Sequence, residues 1–200
     1  MFNYLKPLAS LLLIVLVASA CSKAPAPQYP PIRFTKNTPI HLDVARIDIQ
    51  SEYQSPKTAP NLEHVFPVTP EEAMRARVND RLKAVGATKR LLVTIKDASV
   101  VETPLPVTGG TKGYFTNDQA SKLEANLVVD VRLYGDRNVS LASTEVRANR
   151  HATASENLSL IERDDLHYAM IRRLMNDLNA ELEKNMHQYF SKFIHYSYQR

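Results

Sequence analysis

Leu123-Glu124-Ala125-Asn126-Leu127-Val128-Val129-Asp130-Val131-Arg132-Leu133-Tyr134 is the stretch on which the fold turns. Leu123, Ala125, Leu127, Val129, Val131 and Leu133 alternate without a break, with Glu124, Asn126, Asp130 and Arg132 between them. A period of two with charges on one side describes a strand that buries a single face. Gly135-Asp136-Arg137-Asn138 then supplies turn residues, and Val139 to Ala148 reads as a polar-faced strand pairing back as a hairpin.

Upstream, Leu91, Val93 and Ile95 alternate in a strand expected to continue to about Val101. Before it, Thr69-Pro70-Glu71-Glu72 opens a helix: a capping hydroxyl, proline at the first helical position and glutamate three residues after the cap. Met74, Val78, Leu82 and Val85 recur at helical spacing, and Gly86 suits a left-handed stop. The polar face of this helix carries Arg75, Arg77, Arg81 and Lys83. Earlier still, Ile40, Leu42 and Val44 alternate, then Ala45, Ile47 and Ile49 in the opposite phase, which reads as one strand, Ile40 to Ile49, with a bulge.

The chain closes on a second capping box, Ser159-Leu160-Ile161-Glu162. Leu166, Met170, Leu174, Leu178, Leu182, Met186, Phe190 and Phe193 follow close to a four-residue step, predicting a helix over 161–194, roughly 50 Å long at 1.5 Å per residue. The expected fold class is therefore α+β: a single four-stranded mixed sheet with two helices on one face, in the order β-α-β-β-β-α. Such a sheet leaves the last turns, or the aromatic tail from Tyr189-Phe190 to Tyr198, to project, to meet a partner or to pack on the domain itself.

The N-terminus is of another kind. Lys6 precedes an apolar run, Leu11 to Val17, and small residues lead into the only cysteine of the chain, Cys21. This is the layout of an export signal over residues 1–20, with an apolar run too short to span a bilayer. Val17-Ala18-Ser19-Ala20-Cys21 resembles the lipobox of bacterial lipoproteins, with Ala18 where Leu is commonest. The resemblance makes Cys21 the lipid-bearing first residue, through diacylglyceryl on its thiol, and Ser22 in place of the aspartate of the inner-membrane retention signal favours the outer membrane, periplasmic face. A mature chain whose one thiol is acylated has no disulfide and must stand on its core. Residues 21–38 include Pro25, Pro27, Pro30 and Pro31 and read as an extended tether, leaving 39–200 as one α+β domain.

A formal net charge of +4 from 25 basic and 21 acidic residues is too balanced to argue for nucleic acid. No Gly-x-Ser-x-Gly elbow, phosphate-binding glycine loop or His-Glu-x-x-His helix occurs, and the histidines at 41, 64, 151, 167, 187 and 195 show no metal-ligand spacing. No catalytic residue, metal or cofactor is therefore expected. Asp164 and Asp165 with His167 form the nearest approach to a hydrolytic site, against the plainer reading of acids in a helix's first turn beside an exposed histidine. The loop from Glu102 to Gln119 is a candidate contact for a partner, through Leu105, Val107, Tyr114 and Phe115, against the plainer reading of aromatics folded back onto the core. The basic residues of the first helix could meet lipid phosphates, or be a solvated face.

In element order the chain resembles the lipopolysaccharide-assembly lipoprotein that plugs an outer-membrane barrel, and is similar to auxiliary lipoproteins of envelope lipid transporters. It departs at its start, where Cys21-Ser22-Lys23 and a proline tether replace a short Gly-Trp beginning. Glu63-His64-Val65-Phe66-Pro67-Val68 and Ile95-Lys96-Asp97-Ala98-Ser99-Val100-Val101-Glu102 look similar to uncharacterised Gram-negative lipoproteins. The expectation is a non-enzymatic binding or assembly module of the cell envelope, held to the membrane by the Cys21 lipid, with an envelope protein or a lipid as partner. A lipid or lipopolysaccharide carrier is the alternative, and a hydrolase the remote one.

Overall fold

The computed structural model describes residues 28–105 and 119–196. Its backbone is built on the hairpin of β6 (Gln119–Tyr134) and β7 (Ser140–Ser155), paired from Gln119↔Ser155 to Tyr134↔Ser140. Along its other edge β6 pairs first with β5 (Val100–Pro104), then with β4 (Arg90–Asp97), both antiparallel. β2 (Arg46–Ser51) adds in parallel to β4, with Ile47 opposite Leu91 and Ile49 opposite Val93. A second, three-stranded sheet has β1 (Ile40–Leu42) at its centre, parallel to β3 (Leu82–Ala84) and antiparallel to β8 (Ile194–His195).

Two sheets, of three and five strands, replace the single four-stranded sheet expected, although the mixed α+β character stands. The phase slip after Val44 is the cause. It is a break between sheets, not a bulge: Asp43 N–H donates to the Phe193 carbonyl in one sheet, while Ala45 N–H donates to the Thr88 carbonyl beside the other. The change of layer buries Val44 fully and packs the partly buried Ile47 against the same core.

The first helix, α1 (Pro70–Arg81), starts as expected, with Thr69 Oγ1 accepting from the Glu72 N–H and Glu72 answering the Thr69 N–H. It ends before Gly86, because Leu82 turns extended and enters β3 against β1. Gly86 is needed for another reason: a Cβ there would lie 2.4 Å from Asp43 Oδ1 and 2.7 Å from Val44 N. The strand expected from Leu91 to Val101 divides at a bulge near Asp97, whose carboxylate accepts from the Ser99 N–H at 3.0 Å.

The second helix, α2 (Leu160–Tyr189), begins at its expected capping box, Ser159 with Glu162. It lies over β7, whose helix-facing side chains include Ala142, Thr144, Val146, Ala148 and Ala152. These are small, so Met170, Leu174, Leu178, Leu182 and Met186 of α2 come close to the sheet and are buried. Asn185 Nδ2 donates to Thr144 Oγ1 at 3.1 Å within this interface. The helix stops at Tyr189, short of 194. Phe190 is buried, and a 3-10 turn, Ser191–Phe193, returns the chain to pair as β8, so the start of the aromatic tail folds onto its own domain.

The stretch 28–38, part of the proline-rich segment, lies against the domain. Ile32 and Phe34 are buried, Arg33 Nε donates to Asp80 Oδ2 at 2.8 Å, and the same oxygen accepts from the Phe34 N–H at 2.8 Å.

Candidate functional site

The end of β5, the beginning of β6, the start of α2 and the incoming N-terminal segment meet at one end of the large sheet. Pro104 of β5 is paired with Ser121, and Gln119 of β6 with Ser155 of β7, from which a short turn leads to α2. Ser121 Oγ donates to Glu102 Oε1 at 2.6 Å, and that oxygen lies 4.0 Å from Arg163 Nη1 on the first turn of α2. Tyr29 closes the group. Its hydroxyl donates to Asp165 Oδ1 at 2.9 Å, with the Ile161 carbonyl 3.4 Å away, and its ring centroid is 5.3 Å from that of Tyr168. Burial, reinforced by the hydrogen bond to Asp165 and the negative charges of Asp165 and Asp164, pushes the Tyr29 phenol up to about 12.

Of the expected contact residues, Leu105 is half-buried at this end, just beyond β5. Val107, Tyr114 and Phe115 lie outside the described residues, as does Cys21. The acidic pair and the histidine do not form a site. Asp165 is engaged by Tyr29, whereas His167 turns inward, almost fully buried, its ring stacked on Phe66 with centroids 3.9 Å apart and planes 5° from parallel. Burial holds the His167 imidazole below its ordinary value, against the opposing pull of Asp164. The expectation that His167 is exposed is thus corrected: its ring packs face to face on Phe66, and its buried Nδ1 finds no hydrogen-bond partner among the described residues.

No protein-family model matches the chain, and no curated protein matches it. Among solved structures it is similar to a minor lipoprotein from Acinetobacter baumannii, at 10% identity and a TM-score of 0.35, over 74% of this chain and 96% of that one. A Xanthomonas campestris protein is similar at 10% identity and a TM-score of 0.38, over 78% of this chain and 92% of that one. Rare lipoprotein B from Shewanella oneidensis is similar at 11% identity and a TM-score of 0.31, over 70% and 98%. Two of the three bear the name lipoprotein, but likeness this faint carries no argument, and function rests on the residues themselves.

Two constellations escape a reading of the sequence. At the small sheet, His41 and His195 face each other across β1 and β8, and with His187, Glu183 and Tyr196 they line a cavity of about 180 Å³. Nevertheless, among the described residues no three His, Cys, Asp or Glu side chains gather as a metal would require. Their separation in sequence, 41 against 187 and 195, gives no local signal.

The other lies between the helices. Arg77 and Arg81, expected on a polar face, are buried, one helical turn apart on α1 and facing α2. Arg77 Nε donates to Asn179 Oδ1 at 3.0 Å, while its two terminal nitrogens find no hydrogen-bond partner among the described residues. Burial, with the neighbouring charge of Arg81, lowers the Arg77 guanidinium to about 10, against the pull of Glu183. The spacing of two arginines at i and i+4 could have marked them as one unit, but exposed and buried pairs have the same spacing.

Proposed function

We propose that the chain is an envelope lipoprotein, anchored by acylated Cys21 to the periplasmic face of the outer membrane, that binds or helps assemble another envelope component without catalysing a reaction. The observation that carries this reading is the position of the only cysteine. It closes a small-residue run after a short apolar core, and the chain settles onto the folded domain only eight residues later, at Tyr29. An export signal, a lipid and a short leash to a folded body form one continuous device.

The non-enzymatic part is supported by the divergence of Asp164, Asp165 and His167. The carrier reading is weakened by the sheet–helix interface. The cavity there, lined by Arg150, Ala152, Leu166 and Met170, is about 60 Å³, whereas ligand pockets run from roughly 300 Å³ upward. Among the described residues no helix is long and apolar enough to cross a membrane. Attachment through a lipid suits that.

Three measurements test the proposal. Mass spectrometry of the N-terminal peptide should show a diacylglyceryl modification on Cys21, and Cys21→Ala should shift the protein out of the membrane fraction. Crosslinking the anchored protein, followed by identification of co-purified proteins and lipids, should recover an envelope protein. Capture should weaken in a Tyr114→Ala/Phe115→Ala variant if the 102–119 connection makes the contact. Lipid recovered without protein would reverse the choice in favour of a carrier.

A further inference from the structure

The two most exposed neighbouring apolar side chains at the leash end are Leu160 and Ile161, 83% and 54% exposed. They open α2 directly after its capping serine, a short turn beyond the end of β7. Scattered surface leucines are ordinary, so exposure alone decides nothing. Their position relative to Cys21 does. Tyr29 is seated beside this same turn, its hydroxyl reaching Asp165 and the Ile161 carbonyl, and it stands eight positions after Cys21. At about 3.3–3.6 Å per residue those eight span at most about 29 Å. The opposite end of the domain, the turn after Tyr134, lies a further length of β6 away, about 50 Å for its sixteen residues at about 3.3 Å each.

We infer that the first turn of α2, through Leu160 and Ile161, dips into the surface of the bilayer that holds the Cys21 lipid, so that the domain stands with this end down. The inference rests on the lipoprotein reading above. A short leash that ends on one tip of an elongated body restricts which surface can meet the membrane, and the tip it selects carries the exposed aliphatic pair. Tyr29 and Tyr168 are placed as interfacial aromatics behind that pair. The charges flanking the pair are mainly acidic, Glu156, Glu162, Asp164 and Asp165 against Arg163, so headgroup charge does not draw this turn to the membrane. Glu162 is turned back to cap Ser159, Asp165 is held by Tyr29, and Arg172 lies over the Tyr168 ring at 5.9 Å. The occupant is therefore recognised by its apolar interior rather than by headgroup charge.

The chain contains no tryptophan, so a single introduced indole reports on its own environment. Full-length acylated protein carrying Leu160→Trp is reconstituted into phosphatidylethanolamine–phosphatidylglycerol vesicles and compared with Val139→Trp, an exposed site beside the distant β6–β7 turn. The expected result is a blue-shifted Leu160→Trp emission that loses intensity when the acyl chains are brominated, with Val139→Trp unaffected. Acylated protein that floats with the vesicles but keeps an unquenched Leu160→Trp signal overturns the inference and leaves the anchor intact. Equal quenching at both sites, a domain lying flat, overturns it as well. Absence of acyl mass on Cys21 in the same sample overturns the anchor, and the inference with it.

Discussion

Arg81 Nη2 lies 3.0 Å from Glu183 Oε2, yet the arginine side chain is 1% exposed and the glutamate 40%. A buried cation on α1 is thus held by a carboxylate at the surface of α2, and the same carboxylate lines the histidine-bordered cavity at the small sheet. Arg77, one turn away, shares that counter-charge and not a second one. The packing of the two helices therefore includes a buried electrostatic joint beside its apolar contacts.

Removing Glu183 should be costly because it strands a charge already out of water. Breaking a fully buried pair costs about 3–5 kcal/mol, and with Glu183 partly solvated we expect about 1–3 kcal/mol for Glu183→Ala. Urea unfolding followed by circular dichroism measures it. The double variant Glu183→Ala/Arg81→Met should recover part of the loss, and a purely additive double variant would show that the pair is not coupled.

Arg77→Met should behave differently. It deletes two terminal nitrogens that have no partner among the described residues, at the loss of one bond to Asn179. Apolar replacement of buried ionic groups is often neutral or stabilising by about 1–4 kcal/mol. An unchanged or higher urea midpoint is expected. A loss of about 2 kcal/mol or more would mean that those nitrogens are satisfied by buried water, worth about 1–3 kcal/mol per group.

Acid should unfold the domain through identifiable groups. Burial alone would raise the Glu63 carboxyl, but hydrogen bonds from Ser55, Tyr53 and the Val100 N–H hold it below its usual range. The hydrogen bond from Arg33 does the same for Asp80, against the effect of burial, with help from the Phe34 N–H. Both contributions are complete above the unfolded carboxylate values of about 4 and are lost as pH falls through the lower folded values. His167, lowered by burial, adds an earlier loss beginning below about pH 6.5. Denaturant midpoints between pH 7 and pH 3 should fall in two stages. Glu63→Gln should flatten the acid stage, and an unchanged profile in that variant would remove Glu63 from the account.

The fit of α2 on β7 predicts opposite failures from opposite changes. Leu174→Ala leaves a cavity and should cost about 2–5 kcal/mol. Ala148→Leu overfills the sheet side of the same contact and should cost about 1–3 kcal/mol. If Ala148→Leu proved neutral by thermal unfolding, the small residues of β7 would not be what brings the helix close.

Gly86→Ala tests where the two sheets cross. Its Cβ would meet the backbone of Asp43 and Val44 at 2.7 Å, so the chain must shift by an amount that overpacking costs at about 1–3 kcal/mol. A variant as stable as the parent would show that this crossing yields easily.

Local physics made much of this protein legible in advance. Both capping boxes, at Thr69 and Ser159, stand where the sequence places them, because a hydroxyl and a glutamate three residues apart satisfy helix-end donors with no outside help. The period-two run from Leu123 to Leu133 is a strand, because its alternating side chains can be divided between core and water in no other regular way. What the residues could not show alone was where chain segments distant in sequence come together. Only the paired backbone reveals that Leu42 and Arg46 belong to different sheets, and that Leu82 leaves its helix to pair with Ile40. Only the packed helices reveal that Arg77 and Arg81 are interior, since an arginine at helical spacing has the same pattern in water as beside Asn179 and Glu183. Periodicity depends on neighbours three or four residues away. Burial depends on partners about a hundred residues away, and for those residues the tertiary structure decides.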